Sequence, residues 1–168
     1  MSGTERGESG GILLGLISDT HGLLRNEVYG VFERVDAIIH AGDVGDSAIL
    51  TELEVIAPVH AVFGNVDGWE TRHKVPERFE IEFLGHLIAV VHGHQWGSPR
   101  AEDLLSAYPD RSVIVYGHTH QPRVEKRAGT LLVNPGSAGQ RRFGQPVTVG
   151  LLALAPGRDP AAKLVDLV

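Results

Sequence analysis

The chain of 168 residues contains no cysteine, which excludes a disulfide framework, a thiolate metal site and a cysteine nucleophile. Any metal must be held by nitrogen and oxygen. A membrane-length apolar run is also missing, because the longest hydrophobic stretches are interrupted by glycine or histidine within a few residues, well short of the roughly 20 that cross a bilayer. Nor is there a basic excess: 15 Lys and Arg stand against 21 Asp and Glu, for a net charge of −6. The basic residues are scattered, so no broad nucleic-acid-binding face is expected. The first ten residues, MSGTERGESG, hold no apolar segment of the kind a secretory signal needs. They read as a flexible tail over 1–10, followed by one domain over 11–168 and a cytoplasmic location. Long linkers, repeats and low-complexity segments are lacking too.

What is present is a series of short β-branched runs bounded by Gly, Pro, Asn or Asp: 12–17, 37–41, 59–63, 87–91, 113–116, 131–133 and 147–154. That composition favours strands. Helical patterns over 23–34 and 47–56 separate the first three, which predicts a β-α-β-α-β opening. After residue 76 the stretch RFEIEFLGHLIAVVHG alternates, breaks at Leu84-Gly85-His86 and resumes, as a hairpin does. A short helix over 99–107 follows, then strands and turns, with 134–146 as the longest loop. The fold class is α/β.

Five of the apolar runs end in polar residues suited to metal binding. ILLGLI leads into Ser18-Asp19-Thr20-His21, AIIHA into Gly42-Asp43, VHAVF into Gly64-Asn65, LIAVV into His92-Gly93-His94, and VIVY into Gly117-His118-Thr119-His120. In α/β sheets the carboxyl ends of the strands share one rim, where ligands bind. Gly-Asp and Gly-Asn alone are ordinary turn dipeptides. Five such ends in order, with imidazoles spaced i, i+2, point to a metal centre.

The segments SDTHG, HAGDVGD, GNVDG, VHGHQWG, YGHTHQP and NPGSAGQ resemble the motifs of the calcineurin-like metallophosphoesterase superfamily, from about residue 12 to 154. Length and the GNVD form make the chain most similar to the small bacterial and archaeal single-domain phosphodiesterases. The resemblance implies a sandwich of two mixed β-sheets flanked by helices, with the metal site at the strand ends. It puts Asp19, His21 and His120 on one metal and Asn65, His92 and His118 on the other, with Asp43 as the bridge. A homodimer is a further expectation from the family.

Imidazole, carboxylate and amide donors suit Mn²⁺, Fe, Zn²⁺, Co²⁺ or Ni²⁺, and manganese is the expected ion among them. Two divalent ions against two carboxylates leave the site near +2, or about +1 with a bound hydroxide. That charge suits a small phosphoester anion. Hydrolysis is then expected by in-line attack of a metal-bridging hydroxide. This leaves Ser18 as a loop or capping residue. Asn65 and His94 are the candidate catalytic residues, the latter one strand step beyond His92 and suited to substrate contact, proton donation or a supporting hydrogen bond. Asn134 either orients a ligand histidine or forms a turn. Arg141 and Arg142 are candidates for a phosphate contact, while His40, His60, His73 and His86 read as ordinary structural or surface residues. Larger members read Gly-Asn-His-Asp or Gly-Asn-His-Glu where this chain has Val66, so a leaving-group acid is missing there. A phosphodiesterase is the leading reading; the alternatives are a phosphomonoesterase or protein phosphatase, and a scaffold of the same fold, since the retromer scaffold subunit resembles it.

Overall fold

The β-branched runs form strands buried on both faces, which happens when a sheet is covered on both sides. The computed structural model describes residues 10–142 and 144–168; apart from Gly10, the tail expected over 1–10 lies outside the described residues. In chain order the elements are β1 (Ile12–Ile17), α1 (Glu27–Val31), β2 (Ala37–His40), α2 (Ala48–Glu54), β3 (Val59–Ala61), α3 (Trp69–Lys74), β4 (Arg78–Phe83) and β5 (His86–Val91). A 3-10 turn (His94–Trp96) follows, then α4 (Ala101–Ala107), β6 (Val113–Val115), β7 (Arg123–Arg127), β8 (Thr130–Asn134), β9 (Thr148–Leu154) and β10 (Ala161–Asp166).

The strands make two five-stranded sheets, ordered β10-β9-β1-β2-β3 and β4-β5-β6-β8-β7. Both are mixed. In the first, β1, β2 and β3 run parallel while β9 is antiparallel to β1 and β10. In the second, β5, β6 and β8 run parallel between antiparallel edge strands β4 and β7. Leu14, Leu16 and Ile39 from one sheet meet Ile88, Val90, Val115 and Val133 from the other, which forms the inner core of the expected sandwich. On the outer face of the first sheet Val28, Phe32, Leu50 and Leu53, from α1, α2 and the residue after α1, pack over Ile17, Ile38 and Val149. Leu104 of α4 covers Ala89, Ile114 and Leu132 of the second. Among the described residues no helix is long and apolar enough to cross a membrane.

The hairpin forms where alternation breaks: Phe83 pairs with His86 around Leu84 and Gly85, both at positive φ (53° and 83°), the backbone of a two-residue type I′ turn. Other boundaries differ. The helix expected over 23–34 is confined to Glu27–Val31, because Leu23 N–H bonds to the Thr20 carbonyl in a turn that belongs to the site. Three elements escape the hydrophobic pattern: the charged helix α3 and the edge strands β7 (RVEKR) and β10 (AAKLVD). Edge strands with one partner tolerate charge, and charge there also discourages sheet-to-sheet association.

Candidate metal centre

β1, β2, β3, β5 and β6 all finish at one end of the sandwich, and the loops that leave them interlock across the two sheets. From the first sheet, Asp19 N–H donates to the Gly42 carbonyl, His21 N–H to Asp43 and Gly22 N–H to Val44, at 3.0, 3.0 and 2.9 Å. This zips the β1 loop to the β2 loop. From the second, Gly117 N–H donates to the His92 carbonyl at 2.9 Å. The halves then meet. Asp19 Oδ2 accepts from His118 N–H at 3.2 Å, and Gly117 lies so close that a Cβ there would overlap the Ser18 hydroxyl.

Holding five side chains inward requires unusual backbone. Asp19, His21, Asp43, His118 and His120 all have positive φ, between 46° and 72°. Non-glycine residues in that region are strained by about 1–3 kcal/mol each, and such strain gathers at functional sites. Here it falls on expected ligands.

The side chains form two clusters, Asp19 with His21 and His120, and Asp43 with His92 and His118, the donor atoms of each within 4.8 Å of one another. Each cluster draws on both sheets. Within the first, His120 Nε2 lies 3.3 Å and His21 Nε2 3.7 Å from Asp19 Oδ1, and the two Nε2 atoms face each other at 3.3 Å. In the second, His92 Nε2 is 3.1 Å from Asp43 Oδ2. That same oxygen is 3.7 Å from His21 Nε2 in the first cluster. Ligands about 2.0–2.2 Å from one ion stand about 3.0–3.5 Å apart, so these spacings suit a divalent metal.

The hydrogen bonds divide each carboxylate into a tied and a free oxygen. Asp19 Oδ2 accepts from Ser18 Oγ at 2.7 Å as well as from His118 N–H, whereas Oδ1 is buried with no hydrogen-bond partner. Asp43 Oδ1 accepts from Val66 N–H at 3.0 Å, which turns Oδ2 to the imidazoles. His92 Nδ1 donates to the Ala41 carbonyl at 2.7 Å. Its Nε2 is therefore aimed inward, and that atom too is buried without a partner. A buried unpaired donor or acceptor costs about 1–3 kcal/mol. Opposed carboxylate and imidazole lone pairs are what a cation satisfies, so the residues fit a divalent metal pair.

The family model for a calcineurin-like phosphoesterase superfamily domain matches residues 12–156. The chain belongs to that superfamily. It is 37% identical over 145 residues to a probable metallophosphoesterase of Methanothermobacter thermautotrophicus, covering 80% of this chain and 82% of the relative. A phosphodiesterase of Methanocaldococcus jannaschii is 28% identical over 155 residues, covering 83% and 91%. In fold the chain is similar to Vacuolar Protein Sorting 29 from Cryptosporidium parvum, with a TM-score of 0.78 at 23% identity over 93% of this chain and 98% of that one. The superfamily implies divalent metals, and the two Asp/His clusters are where this member offers donors for them.

Burial pushes the Asp19 pKa up, but His120, His21, His92 and Ser18 outweigh it and hold the carboxyl well below its usual range. For Asp43 burial is likewise overcome, by His92 and the Val66 N–H, and the pKa falls. Burial drags His92 down, but Asp43 and Asp19 reverse this and its pKa rises. Both carboxylates are thus charged at neutral pH.

Asn65, the remaining expected ligand, sits on the loop whose Val66 N–H reaches Asp43. It is exposed beside buried Gly64, which packs on Asp43. Its amide hydrogen-bonds to no described residue, while its carbonyl accepts from Arg72 Nη2 at 3.4 Å. His94 comes close by a different route from the one its spacing suggested. β5 ends at Val91, Gly93 turns at φ 110°, and His94 opens the 3-10 turn, its ring 5.5 Å from His92 and 6.4 Å from His118. Burial first, then His92, lowers its pKa, and its Nδ1 is buried without a partner. Ser18, expected as a loop or capping residue, lies in the loop after β1 and ties Asp19. Asn134 serves both expected roles in part: its Nδ2 donates to the Gly117 carbonyl and Thr119 Oγ1, steadying the histidine loop, and its Oδ1 accepts from Gly136 N–H in the turn. Arg141 and Arg142 are exposed.

Two supporting residues had little or no signal. Asp67, the last letter of GNVD, is 4% exposed and accepts N–H bonds from Val44, Gly45 and Gly64 at 3.2, 2.9 and 2.8 Å, fastening the Asp43 loop to the Asn65 loop. His40 is fully buried, with Thr20 Oγ1 3.1 Å from Nε2 and Gly42 N–H donating to Nδ1 at 3.1 Å. In sequence, lacking a partner motif, it reads as an ordinary structural or surface residue. It is structural, but what it supports is the metal rim.

Proposed function

We propose that this chain is a phosphodiesterase working with two divalent ions, Asp19, His21 and His120 holding one, Asn65, His92 and His118 the other, and Asp43 shared. The observation that carries this reading is the free oxygen of Asp43, 3.1 Å from His92 in one cluster and 3.7 Å from His21 in the other, beside the unpaired Asp19 Oδ1 and His92 Nε2. When bound, the ions supply Lewis acidity to the phosphoryl oxygens and a nucleophile drawn from water.

The protein's own part is to fix and to discriminate. Ser18 and the His118 N–H hold Asp19 in one rotamer, the Val66 N–H does so for Asp43, and the Ala41 carbonyl sets the His92 tautomer; such supports keep donors aimed. With only two carboxylates in the donor set, the centre stays cationic and matches a diester monoanion. His94, neutral at pH 7 by its lowered pKa, serves as a hydrogen-bond partner to the substrate. Val66 supplies no proton, which favours esters with good leaving groups.

Manganese is the proposed ion, in a single-domain cytoplasmic enzyme that forms a homodimer; elemental analysis, fractionation and light scattering check these. The decisive assay supplies Mn²⁺ and compares bis-p-nitrophenyl phosphate with alkyl monoesters and phosphoserine peptides. Faster turnover of the aryl diester is expected. Preference for phosphoserine peptides moves the phosphatase reading ahead, and no hydrolysis at full metal loading favours the scaffold.

A further inference from the structure

A cavity of about 320 Å³ opens behind the loop that carries His118 and His120, with Arg100, Arg123, Arg127, Glu102, Tyr116 and Thr119 among its walls. Small-molecule sites begin near that size, about 300 Å³. Two segments are common to the cavity and the metal centre. Thr119 lies between the two histidines and faces the cavity. On the other wall, Ser98 and Pro99 follow Gly97, whose N–H donates to the His94 carbonyl at 3.0 Å, and Pro99 packs on Gly93 between His92 and His94.

Its charge departs from that of the rest of the chain. Three guanidiniums and one carboxylate line it in a protein of net charge −6. Arg127 is already committed, to Glu102 at 2.6 Å and Glu125 at 2.9 Å. Arg123 and Arg100 are not: their side chains are 60% and 75% exposed and meet carboxylates only at 3.6 and 3.5 Å. Exposed pairs of that length contribute about 0–1 kcal/mol, so an anion accepting two parallel guanidinium bonds displaces them readily. A further donor waits at the floor. The Tyr116 residue is 6% exposed, and among the described residues its hydroxyl has no hydrogen-bond partner.

We infer that this cavity is a second anion subsite, which takes a phosphate group carried on one ester arm of the phosphodiester while the scissile phosphorus lies at the metals. The inference rests on the phosphodiesterase reading and narrows its substrate class to diesters with an additional phosphate. Arg123 and Arg100 bind that phosphate from the rim and Tyr116 from below. Specificity then comes from the cavity and chemistry from the strand-end rim.

Two measurements test it on the full-length, metal-loaded enzyme. The first compares thymidine 5′-(p-nitrophenyl phosphate) with thymidine 3′-phosphate 5′-(p-nitrophenyl phosphate), which differ only in the added phosphate. Arg100→Gln/Arg123→Gln is expected to lose about tenfold in kcat/KM on the second, mostly through KM, a loss typical of one charged hydrogen bond, and to keep its rate on the first. Both side chains are exposed, so the fold should survive. An equal loss on both substrates, or none on either, overturns the inference. The second titrates inorganic phosphate into the zinc-loaded, diamagnetic enzyme and follows the Arg123 Nε–H and Tyr116 ring resonances. Saturable shifts at both in the wild type, with the Tyr116 shift lost in the double variant, support the subsite; phosphate that perturbs only the metal-side histidines overturns it. If the wild type hydrolyses neither diester, the phosphodiesterase reading falls, and the titration still decides whether the cavity binds phosphate.

Discussion

His40 should make the metal-free protein sensitive to mild acid, and the size of the effect follows from its contacts. Because Nδ1 accepts the Gly42 N–H, the ring proton sits on Nε2 and faces Thr20 Oγ1, whose hydroxyl in turn donates to the Val44 carbonyl at 2.8 Å. A second proton would set N–H against N–H in a fully buried site. Burial lowers the pKa from 6.5 to about 4, against the pull of Asp67, Asp19 and Asp43. The folded-state pKa is depressed, so as pH falls the unfolded chain takes up the proton first. Stability from this group is complete above about 6.5 and is lost progressively down to about 4. Linkage over that interval gives about 2 kcal/mol lost between pH 8 and pH 5, rising to about 3 kcal/mol below pH 4. Urea unfolding with a chelator present, at pH 8 and pH 5, measures it once the same difference for His40→Gln is subtracted, since other titrating groups are common to both. The wild type should lose about 2 kcal/mol more than the variant. Equal losses would mean that His40 is not held neutral by its surroundings.

Asp43→Ala should abolish metal binding and activity while far-UV circular dichroism is unchanged, since the carboxylate faces both clusters; more than a tenth of wild-type turnover in excess metal would place the bridge elsewhere. His94→Ala should retain full metal content by elemental analysis and lose about 10²-fold in turnover, as removal of one hydrogen bond to the transition state does; loss of metal would make it a ligand. Val66→His should raise kcat/KM on esters of poor leaving groups more than on aryl esters, because only the former need a proton; a uniform change across leaving groups of graded pKa refutes that. Asp67→Ala leaves two buried N–H groups and one part-buried N–H group unpaired and should destabilise the chain by about 3 kcal/mol in urea unfolding, together with weaker metal affinity; an unchanged affinity would show that the loops hold without it.

Legibility in the sequence tracked the physical cause of each element. The five strand ends were readable because apolar run, glycine and ligand follow one another along the chain, and six of the seven residues they named are drawn together in space. Asn65, the seventh, lies on the loop whose Gly64 packs on Asp43 and whose Val66 N–H bonds to it. β7 and β10 were invisible because an edge strand can exist on one ladder of hydrogen bonds with charged side chains, and α3 because WETRHK carries no apolar stripe. His94 was correctly near the site for a wrong reason: period-2 reasoning fails once Gly93 adopts φ 110°. Asp67 acts partly through the Val44 and Gly45 N–H groups and His40 partly through the Thr20 hydroxyl, all about twenty residues away, and no local pattern encodes such partners.

Each ligand cluster takes side chains from both sheets, and this bears on how the molecule assembles. Asp19, His21 and Asp43 come with the first sheet, and His92, His118 and His120 with the second, so neither layer can bind an ion tightly before the two have docked. Metal affinity is then a late event in folding, and an ion acts as a rivet at one end of an otherwise non-covalent sandwich. By mass action, free metal at a hundred times its dissociation constant adds about 2.7 kcal/mol to the docked state. Chelation should loosen that end first, so amide hydrogens of the five strand-end loops should exchange faster in the stripped protein while those of the inner core keep their protection.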